Sequence, residues 1–174
     1  MSTKDDEISG QAAAEDKYSV LFDIATKSFE EIVQEVADDT PQVCEPFDID
    51  AQSSLSVIIG ITSEINGRIL INSSTESANN LAVAMNFGDP LDNEDDLFVY
   101  LAEFANMSCG RMTTYINDKY GQRVVWIAPP AIFSADNLKI VTPHITTRKQ
   151  YYNTAHGKFI IDVGYNDGSQ YDGF

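Results

Sequence analysis

From Leu97 to Asn117 the chain runs for about six helical turns without a proline, and apolar side chains return every three or four positions. Projected at about 100° per residue, Leu97, Tyr100, Leu101, Phe104, Met107, Ser108 and Tyr115 form one stripe. Ala102, Ala105, Cys109, Met112 and Ile116 form a second band beside it. A helix that is apolar over so much of its circumference folds only if other elements cover most of it. One line is left for solvent: Val99, Glu103, Asn106, Gly110, Thr113 and Asn117, which carries the polar side chains. Just upstream stand Asp92, Glu94, Asp95 and Asp96. They lack the glycine and distal glutamate of an EF-hand loop, so they read as anions favoured at a helix N-terminus.

The covering elements are legible on either side. Leu21, Ile24, Ala25, Phe29, Ile32, Val33 and Val36 recur at helical spacing, which predicts a first amphipathic helix over residues 18–36, ended by Asp38-Asp39-Thr40-Pro41. A loop follows to about Ser53. Residues 55–62 and 68–72 are rich in Ile and Val and flank Asn66-Gly67, which predicts a β-hairpin with a type I′ turn at that dipeptide. Ser73 and Glu76 then read as a capping box opening a second helix that runs to about Phe87 and stops at Gly88-Asp89-Pro90. Beyond the long helix, residues 123–128, 131–133, 138–142 and 159–165 read as strands. Helices and strands in this order predict an α+β fold, a mostly antiparallel β-sheet with long amphipathic helices packed on one face.

With 11 Lys and Arg against 27 Asp and Glu, a net charge of −16 argues against a nucleic-acid backbone as partner. Residues 1–16 read as a disordered acidic arm, 17–165 as the folded domain and 166–174 as a flexible C-terminal tail. No stretch has the apolar length of a membrane helix or the pattern of a signal peptide, so a cytoplasmic protein is expected. Cys44 and Cys109 are far apart without a CxxC pair, which leaves two thiols and no zinc framework. His144 and His156 fall in turn or strand-end settings, where lone histidines are ordinarily structural. Elbow, zinc-protease and P-loop motifs are all missing, which leaves little support for an ordinary metabolic hydrolase.

Gly110 is out of keeping with its helix, because an interior glycine costs about 0.5–1 kcal/mol relative to alanine. It follows Asn106 by one turn on the outward line. Two explanations stand at this level: a surface that another protein's backbone approaches closely, or a kink or tight packing against the chain's own sheet.

The run Glu103-Phe104-Ala105-Asn106-Met107-Ser108-Cys109-Gly110 resembles the E-x-x-N-M-x-x-G signature of the CheC/CheX/FliY phosphatases of bacterial chemotaxis. The hairpin, the capped helix, Gly88-Asp89-Pro90, the signature helix and Ala128-Pro129-Pro130 also come in CheX order, so the resemblance spans about 18–165. It implies a CheX-like or CheC-like fold and an enzyme that removes the phosphoryl group from the phosphoaspartate of a CheY-like receiver. It further implies catalytic roles for Glu103, which would grip a lysine of the receiver, and Asn106, which would orient a water. Glu103, Asn106 and Gly110 would together bind the partner. The only metal implied is Mg2+ on the receiver, with no cofactor or metal site in this chain. Members with two sites carry a second motif, whereas the first helix here offers only Glu31-Ile32-Val33-Gln34. One site per chain matches the CheX pattern, which also implies a homodimer. Arg111 departs from the usual small or neutral residue and receives no role. The alternative, of a different class, is a non-catalytic CheX-like module that binds receivers or other chemotaxis components.

Overall fold

The apolar alternation of the central hairpin sets the layers. Strand β2 (Ser54–Ser63) turns Leu55, Val57, Ile59 and Ile61 to one face, and β3 (Gly67–Ser74) turns Ile69 and Ile71 to the same face. Three helices cover that face: α1 (Lys4–Ala37), α2 (Thr75–Met85) and α3 (Glu94–Tyr120). The computed structural model describes residues 4–49 and 53–166, with the backbone alone for 4–16. The remaining strands are β1 (Gln42–Val43), β4 (Val125–Ile127), β5 (Ala131–Ala135), β6 (Thr146–Thr154) and β7 (Gly157–Tyr165). All pairings are antiparallel, in the order β1-β6-β7-β3-β2-β4, with β5 beside β4 on the same edge of β2.

Phe29 of α1 joins the layers. Its ring meets Phe104 of α3 edge-on at 5.6 Å, Tyr152 of β6 at 5.1 Å and Phe159 of β7 at 6.0 Å. Burial of each such ring contributes about 1.5–3 kcal/mol. Tyr152 is fully buried, and its hydroxyl donates to Glu30 at 2.7 Å. Burial and that hydrogen bond together push its phenol far above the usual range. Tyr18 of α1 stacks on Tyr165 of β7 with centroids 3.6 Å apart, and its hydroxyl donates to the Asn166 carbonyl at 2.7 Å.

Several local expectations are corrected. The first helix starts at Lys4, not near Tyr18; Ala12, Ala13 and Ala14 are strong helix formers. The tail from 167 onward lies outside the described residues. The hairpin exists, but Ile61 pairs with Gly67, so the reversal spans Thr62 to Asn66 and not a two-residue turn at Asn66-Gly67. Two forces favour the longer loop. Ile65 is drawn into the core, and β2 continues past the hairpin to pair Ser63 with Val125. Gly67 is needed for close approach: a Cβ there would lie 2.1 Å from the Gly164 carbonyl oxygen.

The cap of α2 is Ser74, whose hydroxyl accepts from the Ser77 amide at 3.1 Å, while Ser73 is buried in β3 opposite Phe159. Residues 138–142 are not a strand. They lie across the outer face of the sheet, held where Arg68 Nε donates to Thr142 Oγ1 at 2.6 Å. Arg68 is itself buried beside Asp162 at 3.5 Å. Strand β6 went unforeseen, because Thr146–Thr154 is polar and mostly exposed next to the two-residue edge strand β1.

Candidate functional site

The orientation of α3 is fixed by what its buried face touches. Leu97, Leu101, Phe104, Ala105, Ser108, Cys109, Met112 and Ile116 are buried, so the opposite line is forced outward. Both ends are pinned. Asn93 caps the start by accepting from the Asp96 amide at 3.1 Å, and Glu94, Asp95 and Asp96 fill the first turn, where the helix dipole favours anions. Gly121 closes the other end with φ 65°. Asn117, expected on the outward line, instead turns toward the sheet. Its Oδ1 accepts from the Val124 amide at 2.8 Å and the Val125 amide at 3.1 Å, clamping the helix to β4.

Glu103 and Asn106 are both exposed on this line. Three residues apart, they stand with Cβ atoms about 5–6 Å from each other. Neither side chain forms a hydrogen bond or ion pair with any described residue. Gly110 follows one turn later, and a Cβ built there would find nothing within 4 Å. That open space removes the explanation in which Gly110 packs against the chain's own sheet. The three residues singled out from the sequence therefore form one continuous outward strip.

The residues around the strip are occupied in other ways. Cys109 is buried and its thiol is pushed up to about 12 by desolvation, so it is no nucleophile near neutral pH. Arg111 reaches across to α1, with Nη2 2.5 Å from Glu35 and Nη1 3.8 Å from Glu31. The hydrogen bond to Glu35, foremost, holds its guanidinium more firmly charged than usual. Glu31 also accepts from the Tyr115 hydroxyl at 2.8 Å and lies 3.7 Å from Lys27. The weak motif on α1 is thus engaged in joining two helices. His156 sits with Nε2 3.4 Å from the Ala37 carbonyl oxygen, away from α3. Among the described residues no group of three or more His, Cys, Asp or Glu is placed to hold a metal ion. No described helix is long and apolar enough to cross a membrane.

Two neighbouring features were not foreseen. Past Gly110 the line opens into a groove of about 890 Å³ between the end of α3 and β4, lined by Thr113, Asn117, Arg123 and Trp126. The Arg123 guanidinium stacks 4.9 Å from the half-exposed Trp126 ring. At the opposite end Phe87, just after α2, is almost wholly exposed with φ 58°. A left-handed conformation costs a residue with a Cβ roughly 1–2 kcal/mol. The sequence signal was the glycine following it, read only as a helix stop.

The family described as "Chemotaxis phosphatase CheX" matches residues 55–162. No curated protein matches the chain. Among solved structures, the CheX protein of Desulfovibrio desulfuricans is similar at TM-score 0.71 and 20% identity, covering 84% of this chain and 99% of its own. The CheX of Borrelia burgdorferi, solved as a CheX-CheY-BeF3-Mg2+ complex, is similar at TM-score 0.63 and 20% identity, over 83% of this chain and 97% of its own. FliY of Thermotoga maritima is similar at TM-score 0.63 and 13% identity, over 87% and 90%. At these identities the structures establish a shared fold, and the match to the family itself runs from the central hairpin to the last strand. The chain belongs to the CheX family of chemotaxis phosphatases.

Proposed function

We propose that this protein hydrolyses the phosphoaspartate of a CheY-like receiver domain. The observation that carries this reading is the outward strip of Glu103, Asn106 and Gly110, in which an acid and an amide stand side by side with no partner among the described residues. The Glu103 carboxylate pairs with a lysine ammonium at the rim of the receiver's site. Asn106 uses its amide as both donor and acceptor to place a water opposite the acyl-phosphate bond. The water oxygen attacks phosphorus, the bond from phosphorus to the aspartate oxygen breaks, and inorganic phosphate leaves while the carboxylate is restored. Such a reaction needs positioning and electrostatics more than a covalent group from the enzyme.

Mg2+ in this scheme belongs to the receiver, and the chain supplies no cofactor. The Borrelia complex, which holds CheX, CheY, BeF3 and Mg2+ together, supports a receiver as partner. The same reading places the protein in the cytoplasm with its receiver, paired as a homodimer through its sheet; sedimentation across a concentration series tests that pairing.

The second reading, a module that binds receivers without turnover, uses the same strip. One experiment separates the two: release of phosphate from an acyl-phosphate-charged receiver with magnesium, followed as this protein is added. The enzyme gives a rate proportional to added protein. A decay no faster than that of the receiver alone, with binding intact, leaves only the module.

A further inference from the structure

The segment after α2 presents an aromatic side chain where folding gives no reason for one. Phe87 and Gly88 are both left-handed, at φ 58° and 87°, and the turn is closed by hydrogen bonds from the Phe87 amide to the Ala84 carbonyl at 3.1 Å and the Gly88 amide to the Val83 carbonyl at 2.8 Å. Glycine is the residue that such a helix end ordinarily takes. A phenylalanine here is strained, and at 98% exposure its ring has no internal contact that offsets the strain.

The display is firmly held. Asn86 Oδ1 accepts from the Tyr100 hydroxyl at 2.7 Å, and its Nδ2 donates to the carbonyls of Asp89 at 3.1 Å and Pro90 at 3.4 Å. The turn is therefore braced on α3. Tyr100 precedes Glu103 by three residues and lies about 60° round the helix from it. Val99, one turn before Glu103 on the outward strip, is 66% exposed. Phe87 thus follows a residue bonded to Tyr100, the chain neighbour of Val99, toward the end of α3 away from Gly110.

We infer that Phe87, with Val99, is the apolar anchor by which the protein seats a receiver domain, against an apolar strip beside the lysine that pairs with Glu103. This rests on the reading of the α3 strip as a receiver-docking surface, with which the two side chains are continuous. In an acidic chain whose other contacts here are a carboxylate and an amide, a rigid aromatic supplies affinity that salt does not screen. It also keeps water from the charged pair behind it. Aromatic rings are favoured in such places because they bring a large area with little rotamer freedom to lose.

The test titrates a CheY-like receiver loaded with magnesium and beryllofluoride into the wild type, Phe87→Gly and Phe87→Leu, with phosphate release from the acyl-phosphate-charged receiver measured on the same samples. Phe87→Gly is expected to bind at least five- to tenfold more weakly, with most of the loss in the receiver concentration needed for half-maximal rate, and to melt no lower than the wild type. Phe87→Leu is expected to recover most of the affinity. Binding by Phe87→Gly within twofold of the wild type overturns the anchor and leaves the phosphatase reading standing. A wild type that binds with an anchor-dependent affinity yet releases no extra phosphate supports the anchor and removes the phosphatase reading. Loss of self-association in Phe87→Gly, with receiver affinity intact, overturns the inference in favour of a contact between copies of this chain.

Discussion

Glu31 on α1 and Glu103 on α3 are the same residue type on two packed helices, and each begins a short acid-to-amide run, Glu31 with Gln34 and Glu103 with Asn106. Their surroundings differ. Glu31 receives a hydroxyl from Tyr115 and lies within ion-pair range of Lys27 and Arg111. Glu103 has no partner among the described residues and looks outward beside Asn106. The comparison teaches that an acid on a helix surface becomes available to another protein only where the chain's own cations do not reach it. Arg111, one residue past Gly110, makes the distinction sharp, because it projects toward α1 and leaves the strip bare.

Asn106→Ala should break the α3 side of the comparison most completely. The amide is asked only to place a water in the transition state, so maximal turnover should fall by about 100-fold or more while receiver affinity changes less than about twofold. Single-turnover phosphate release and a binding titration on the same sample check both halves. Gly110→Ala is expected to have a smaller effect of mixed sign. With open space at its Cβ, alanine should raise stability by about 0.5–1 kcal/mol through helix propensity, while the added methyl at the docking surface lowers turnover a few-fold. A fall in melting temperature would show that the space at this position is not open. The smallest effect falls on the α1 side. Arg111→Gln removes part-exposed ion pairs worth about 0.5–1 kcal/mol, a melting shift of roughly 1–3 °C, and should leave turnover unchanged.

The strip on α3 was legible in the sequence because all its residues sit on one helix, where spacing alone fixes which side chains share a line. The same holds for the acidic first turn and for the hairpin's two strands. What was hidden depended on partners far away in the chain. Asn117 looks like a surface residue until Val124 and Val125 are brought beneath it, and Arg111 has no reading without Glu35, 76 residues before it. Asn66-Gly67 carries the signature of a tight turn, but burial of Ile65 and the close passage of Gly164 decide the local geometry. Residues 138–142 have a strand's composition, yet the edge of β2 is already taken by β4 and β5. Phe87 was invisible as a surface feature, because exposure at the end of an apolar helix is a property of the assembled fold.

Glu103 is free for a partner and Glu31 is not. The direct measurement is single-turnover phosphate release from a magnesium-bound, acyl-phosphate-charged receiver by Glu103→Gln and Glu31→Gln, across a salt series, with the melting temperature of each. Glu103→Gln should melt like the wild type, turn over about tenfold more slowly at low salt, and lose most of the wild type's salt dependence of receiver affinity. Glu31→Gln should turn over like the wild type and melt about 1–3 °C lower. Equal turnover by Glu103→Gln and the wild type, or a loss of turnover in Glu31→Gln without a loss of stability, would contradict the division of roles between the two acids.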